Sequence, residues 1–285
     1  MRSRLFALLV VASIVGVGCG GQATATPQST TFATSDAGLQ EILARGKLQI
    51  GYANQEPYSY VTESGQLKGL DPDIERACQQ MLGLPKLEFV EVPFEGLIPG
   101  LQSKRFDMVG AMAYRPERAV VAHPAVAAYN FRATLAVKKG NPLNIHSIDD
   151  LKRVQGKIGG VLGALEFIQL QQNPDLKDRV VGYQASLDGY KDLEAGRLIG
   201  FADGEPLLIV YLQKNPTSSM EIAKPFPPFY DSGAHMYFRP DSNALWALFQ
   251  DCIKKLKQDG TMVKILQANN YPAENMAPVD AKVSD

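Results

Sequence analysis

Residues 96–118, GLIPGLQSKRFDMVGAMAYRPER, decide how this chain is read. Gly96, Pro99 and Gly100 punctuate a short helix whose packing face is Leu97, Ile98 and Leu101. Residues 106–112 read as an apolar strand, and residues 113–118, AYRPER, as the loop that leaves it. The loop after a strand's carboxyl end is where open α/β sheets bind ligands. A guanidinium at that place, here Arg118, suits a carboxylate, which it can grip with two parallel hydrogen bonds.

The same plan extends outward on both sides. Residues 47–53 alternate like a strand. After a loop, Asp71-Pro72 opens a helix with an acidic cap and a proline in the first turn. Ile74, Ala77, Cys78, Met81 and Leu82 share one face of it, and residues 87–92 are the next strand. Strand, helix, strand, helix, strand with short connections is the mark of a doubly wound parallel sheet. A second unit of like plan follows, with strands at 157–162, 180–183 and 198–202 and helices at 164–172 and 186–195. No repeat is evident between the two. The chain then returns to helix at 243–259, capped by Asp241 or Ser242, with an apolar stripe of Leu245, Leu248, Phe249, Cys252, Ile253 and Leu256. Lys254, Lys255 and Lys257 are expected to face water. A helix at 261–268 comes next, and from Pro272 the polar end is expected to be loose.

Composition narrows the classes of function. Of 285 residues, 45% are hydrophobic and 21% charged, an ordinary globular balance. A net charge of -1 gives no basic excess for nucleic acid and no acidic excess for disorder. Arg2 and Arg4 followed by an apolar run at 5–17 fit a secretory signal, and the run is too short to span a membrane comfortably. It ends at Gly16-Val17-Gly18-Cys19, which resembles a bacterial lipobox with glycine where leucine is usual. That implies residues 1–18 as the leader and Cys19 as a lipidated mature N-terminus; plain secretion is the alternative. Without the leader, 27 basic residues face 30 acidic ones, a net charge of -3. Residues 19–38 are rich in Gly, Ser, Thr, Ala, Gln and Pro and read as a flexible tether. Lipid anchor and tether together suit a folded domain working close to a membrane. Cys78 and Cys252 lie on apolar helix faces and are expected to be buried thiols, although an exported compartment permits a disulfide.

Four motifs make the chain resemble the family 3 extracellular solute-binding proteins, the capture subunits of polar amino-acid ABC importers. They are Gly51-Tyr-Ala-Asn-Gln-Glu-Pro-Tyr58, Gly69-Leu-Asp-Pro-Asp-Ile74, Phe94-Glu-Gly-Leu-Ile-Pro-Gly-Leu-Gln-Ser-Lys-Arg-Phe-Asp107 and Arg115-Pro-Glu-Arg118. Within the family, residues 96–107, Gly140-Asn-Pro-Leu-Asn-Ile-His-Ser147 and the ending near 272–280 look most like ectoine and hydroxyectoine binders. The resemblance implies an α/β fold, a two-lobed type II periplasmic-binding-protein fold with two doubly wound sheets joined by a two-strand hinge. Lobe 1 would be 39–132 plus 236–285 and lobe 2 would be 133–235. It implies export to the periplasm or cell surface, ABC permease subunits as partners, a small zwitterionic ligand and a monomer.

Residue by residue, the family's carboxylate-binding arginine falls on Arg118 and its first-lobe aromatics on Tyr58 and Phe94. Aromatic rings also suit a cationic ligand through cation–π contact. The second lobe's anion-binding turn falls on Gly163-Ala164, where alanine replaces threonine. Ala113 stands where Ser or Thr is usual, and Tyr114 lies one place beyond the aromatic of ectoine binders. The family's ammonium-gripping aspartate aligns with Gly204, flanked by Asp203 and Glu205. These departures leave a carboxylate ligand in place and put a standard α-amino acid in question. Gln55 is a further candidate ligand-binding residue and Tyr60 a packing one, while Tyr129, Asn130 and Phe131 lie at the expected first crossing. His123, His146 and His235 have no metal-ligand spacing, so no metal and no cofactor is expected. No nucleophile elbow or phosphate loop occurs. The competing reading is a cleft enzyme of the cyclohexadienyl dehydratase type on the same fold, with Glu166 or Glu205 as its acid or base; the preferred reading is not an enzyme.

Overall fold

The computed structural model describes residues 35–279. The leader, Cys19 and the tether up to residue 34 lie outside the described residues.

The folded chain begins at α1 (Ala37–Arg45), two residues inside the segment expected as tether. Asp36 explains this start. One carboxylate oxygen accepts from Leu39 N–H at 2.8 Å and caps α1, while the other accepts from Ala244 N–H at 2.9 Å. The side chain therefore caps two helices, and Ser242 makes no side-chain cap of its own.

Lobe 1 is built from β1 (Lys47–Tyr52), the small hairpin β2 (Tyr60–Val61) and β3 (Leu67–Lys68), α2 (Leu70–Leu82), β4 (Lys86–Glu91), α3 (Leu97–Gln102), β5 (Met108–Ala113), α4 (Pro116–Val121) and β6 (His123–Pro124). β1 pairs in parallel with β4 and with β5. The chain crosses on β7 (Tyr129–Lys138) into lobe 2, which holds α5 (Ile148–Arg153), β8 (Ile158–Val161), α6 (Leu165–Gln172), β9 (Val180–Tyr183), α7 (Ser186–Glu194), β10 (Gly200–Gly204), α8 (Glu205–Lys214) and β11 (Met220–Ile222). β8 pairs in parallel with β9 and β10. The chain returns on β12 (Tyr230–Phe238) and closes lobe 1 with α9 (Asn243–Gln258) and α10 (Thr261–Ala268).

The two parallel sheets are not separate. β12 pairs antiparallel with β5 on one side and with β7 on the other, and β7 pairs with β10. One continuous strand order, β4-β1-β5-β12-β7-β10-β8-β9, runs through both lobes. The crossing strands are the seam, and the carboxyl ends of β5 and β10 meet there from opposite sides.

Each lobe has its own core. In lobe 1, Ile50, Ile74, Met108, Phe238, Phe249 and Leu266 are all within 1% of complete burial. In lobe 2, Phe201 and Leu208 sit in one cluster and Leu135, Ile158 and Ala202 in another, on the two faces of the sheet. Each fully buried aliphatic or phenyl side chain contributes about 1.5–3 kcal/mol relative to exposure.

Three expectations are corrected here. Cys78 and Cys252 are not free thiols but a disulfide with Cα atoms 5.7 Å apart, joining α2 to α9 across 174 residues of sequence. Both helices present their apolar faces to the same core, which brings the two sulfur atoms together. Lys257 does not face water. It is 4% exposed, and its ammonium donates to the carbonyls of Ala127 and Pro278. One residue beyond Leu256, it lies on the packed side of α9, so its stem is buried and backbone oxygens replace water. The end beyond Pro272 is correspondingly held: Ala277 is fully buried and Met276 bridges to Tyr129. Among the described residues no helix is long and apolar enough to cross a membrane, and no group of three His, Cys, Asp or Glu could hold a metal ion.

Candidate functional site

The cleft between the lobes opens where the strand ends converge. Its lobe 1 wall includes Gln55, Tyr58, Asp71, Phe94, Ala113 and Arg118, and its lobe 2 wall Ala164, Glu166, Asp203, Gly204 and Leu207, with Tyr129, Phe131 and Tyr230 on the crossing strands between them.

Arg118 stands in the first turn of α4, which Pro116 opens directly after β5. It is 6% exposed. Its guanidinium donates to the carbonyl of Ala113 at 2.8 Å and, across the cleft, to the carbonyl of Gly163 at 2.9 Å. It also lies over the Phe94 ring at 5.6 Å. Glu117 does not neutralise it, because that carboxylate pairs with Arg115 at 3.4 Å. Among the described residues, no carboxylate lies within ion-pair distance of Arg118. A buried cation held only by carbonyls and a ring has capacity left for an anion. Burial lowers its pKa from the ordinary value.

The aromatic wall is continuous. Tyr58 stacks on Tyr129 with ring centres 6.0 Å apart and meets the edge of Phe131 at 5.8 Å. Phe131 in turn meets Tyr230 at 5.4 Å. The Tyr58 hydroxyl is buried without a hydrogen-bond partner of good geometry. It faces Gly204, whose missing side chain leaves it room: a Cβ there would lie 3.3 Å from the hydroxyl.

Three carboxyl groups face the same space. Asp203, at the end of β10, is 2% exposed and accepts from the Tyr190 hydroxyl at 2.6 Å and from Gly204 N–H at 2.8 Å. Burial pushes its pKa up to about 6. Glu166, in the first turn of α6, is 2% exposed and its Oε2 has no partner. Burial first, and the charge of Asp203 second, push it up to about 8. Asp71 is 4% exposed. It accepts from the Tyr129 hydroxyl at 2.8 Å and from Ala111 N–H at 3.0 Å, and burial raises it to about 7.

Asp71 corrects the expectation of a helix cap. α2 starts one residue earlier, at Leu70, and Gly69 holds the N-cap position with φ 126° and no side-chain cap. A Cβ at Gly69 would lie 2.2 Å from the Tyr58 carbonyl, so only glycine allows this approach. The turn aims Asp71 into the cleft behind Gly110, where a Cβ would come within 2.8 Å of its Oδ2.

Of the residues singled out from sequence, Gln55, Tyr58, Phe94, Ala113, Ala164, Arg118 and Asp203 come together in the cleft. Gly163 reaches it through the carbonyl that Arg118 holds, and the Ala164 N–H is engaged by the Val161 carbonyl at 3.1 Å. Tyr114 lies outside the lining, packed on His235 with ring centres 6.0 Å apart. Glu205 turns away to the outer side of the crossing strands and pairs with Arg132. Asp71 and Tyr230 are lining residues that sequence reasoning had not placed there, whereas Glu166 was named for the enzyme reading and Phe131 for the first crossing. Asp71 carried one usable signal: it belongs to the Gly69-Leu-Asp-Pro-Asp-Ile74 motif on which the family resemblance rests.

The sequence pattern of the bacterial extracellular solute-binding proteins, family 3, matches residues 48–269. The chain belongs to that family. A probable amino-acid ABC transporter periplasmic-binding protein of Sinorhizobium fredii is 29% identical over 255 residues, covering 86% of this chain and 84% of its own. The ABC transporter arginine-binding protein 1 of Escherichia coli is 26% identical over 226 residues, covering 78% and 90%. Among solved structures, EhuB in complex with hydroxyectoine superposes with a TM-score of 0.75 at 27% identity, covering 83% of this chain and 93% of that one. All three are similar binding proteins, and this family 3 chain shares their two-lobed type II fold.

Proposed function

We propose that this solute-binding protein captures a small ligand bearing a carboxylate and a cationic centre, of amino-acid or ectoine type, and delivers it to an ABC permease. The observation that carries the reading is Arg118, a buried guanidinium facing a cleft with no carboxylate of the described residues beside it. The ligand's carboxylate takes that place, with Ala113 and Gly163 steering the guanidinium through their carbonyls. The cationic centre lies against Tyr58, Phe94 and Phe131, with Asp203 as its charged partner. Lobe boundaries near 132/133 and 235/236 fall inside β7 and β12, where hinge bending closes the cleft. Cys19 anchors the chain to a membrane from the outer side, as a monomer.

The test is a thermal-shift screen of the chain from residue 35 onward with the twenty amino acids, ectoine, hydroxyectoine, betaines and a prephenate-like acid. A ligand at 100 times its Kd stabilises by about 2.7 kcal/mol, a readable shift. A shift by amino acids or ectoines upholds the reading, and no shift by any of them defeats it. A second reading, a lyase acting on a cyclic acid, has one observation in its favour. Glu166 is a buried carboxyl lining the same cleft as Arg118, with its pKa pushed up to about 8, chiefly by burial. Product formed from the prephenate-like acid, and lost in Glu166→Gln, would establish it.

A further inference from the structure

The cleft contains three carboxyl groups and one basic side chain. Asp71, Glu166 and Asp203 are all at least 96% buried, and Arg118 is the only Lys, Arg or His among the lining residues described. The groups packed around the three acids do not supply the missing charge. Asp71 meets the Tyr129 hydroxyl from β7, the Ala111 N–H from β5 and, one turn along α2, the buried Glu75. Arg76, next on α2, is turned outward to Asp73 and the Leu67 carbonyl. Glu166 meets the charge of Asp203, a hydrogen bond from the Tyr230 side chain of β12 and the charge of Arg118, which does not reach ion-pair distance. Asp203 meets Tyr190 and Ser186 of α7 and its own neighbour's N–H. Near it, the Tyr58 ring contributes a hydroxyl and no charge.

Hydroxyl and amide donors moderate the cost of burying a carboxylate, but they do not supply the missing positive charge, and Asp203 adds repulsion at Glu166. Among the three, Glu166 alone has a buried carboxylate oxygen, Oε2, without a hydrogen-bond partner. Resting on the ligand reading above, we propose that protons on these carboxyl groups neutralise the empty cleft, and that a cationic group of the ligand displaces them on capture. Uptake of a cationic solute then releases protons, and affinity for it tightens as pH rises through the range in which the carboxyl groups titrate. A zwitterion of no net charge releases fewer protons, because one ammonium needs only one of the three.

Two measurements decide it. In the empty protein, carboxyl-carbon NMR of Asp- and Glu-labelled chain is expected to show at least one group titrating above pH 7 that disappears in Glu166→Gln. If every carboxyl titrates below pH 6, the inference falls whatever binds. Calorimetry with L-arginine as probe at pH 7, in phosphate and in Tris, is expected to give heats that differ by the buffers' ionisation heats. The expected difference corresponds to half a proton or more released per arginine, with a several-fold lower Kd at pH 8 than at pH 6. Equal heats in the two buffers overturn proton displacement while leaving the ligand reading intact. Failure of arginine and of every other amino acid to bind overturns the ligand reading, and the displacement with it.

Discussion

Two arginines are buried in lobe 1 to nearly the same degree, and their surroundings differ completely. Arg239, 2% exposed, places its three guanidinium nitrogens 3.1 Å from carboxylate oxygens of Asp107, Glu41 and Asp241. Asp107, itself fully buried, also pairs with Arg45 and accepts from Gln49 N–H at 2.8 Å. With Lys104 on Asp241 at 2.6 Å, three cations face three carboxylates, and the group ties α1 and the start of α9 to the sheet with no charge over. Arg118 has two carbonyls, one ring and no carboxylate. The fold has completed the pairing of one cation and not of the other, which faces the cleft. Incomplete pairing of a buried charge, rather than burial or residue type, separates the proposed site from the scaffold.

The largest effect expected is on the scaffold side. Arg239→Met leaves Asp107 buried without one of its two cationic partners and should cost about 3–5 kcal/mol of stability, read from urea denaturation. Ligand affinity of the folded fraction should be unchanged. An unaltered urea midpoint would remove Arg239 as the structural member of the comparison.

Arg118→Ala should give the reverse pattern. It removes two hydrogen bonds to carbonyls and leaves no carboxylate stranded, so stability should change by about 1 kcal/mol or less. Affinity should fall by about 2–5 kcal/mol, because the ligand's carboxylate loses its partner in a desolvated cleft. Calorimetry and urea denaturation on the same preparation separate the two. A protein that binds as before, or one that unfolds, breaks the contrast with Arg239.

Glu166→Gln sharpens the comparison through pH. The folded-state pKa is raised to about 8 from an ordinary value near 4.5, so in that window the folded chain holds more protons than the unfolded one. Stability contributed by the protonated group is complete below about pH 4.5 and lost as pH rises towards 8. The empty protein should therefore lose up to about 5 kcal/mol across this range. The glutamine variant should have a flatter profile. Equal slopes in the two proteins would show that Glu166 is charged in the empty cleft.

Much of the fold could be read along the chain because its signals are local. The stretch 96–118 forms α3, β5 and the turn into α4 as its punctuation suggests, and the apolar stripe of α9 packs as spaced. What escaped reading depends on distant partners. Asp71 looks like a helix cap until Tyr129, 58 residues away, donates to it. Cys78 and Cys252 looked like separate small hydrophobes because their 5.7 Å approach is set by how α2 and α9 cross. Glu205 and Asp203 are near neighbours in sequence, yet the strand-to-helix turn between them sends one into the cleft and the other to Arg132. Spacing places a residue at a strand end, but the side of the sheet to which the next turn sends it is tertiary information.

The smallest effect concerns a charge pair that is neither scaffold nor pocket. Lys214, at the end of α8 in lobe 2, reaches Glu56 of lobe 1 at 2.5 Å and lies over the Tyr60 ring at 5.8 Å. Its side chain is 60% exposed and that of Glu56 27%, so water and salt screen the contact. An exposed pair of this kind is worth about 0.2–1 kcal/mol. It joins lobe 1 to lobe 2 outside the cleft lining, so on the proposed hinge closure its effect falls on the balance between open and closed forms. Lys214→Ala should therefore weaken ligand affinity by no more than about fivefold, through faster release, with stability unchanged. The difference from the parent protein should shrink as salt is raised towards 1 M, where the screening length is about 3 Å. Rates from stopped-flow fluorescence at low and high salt would measure both. A loss as large as that of Arg118→Ala, or one indifferent to salt, would mean that Lys214 touches the ligand itself.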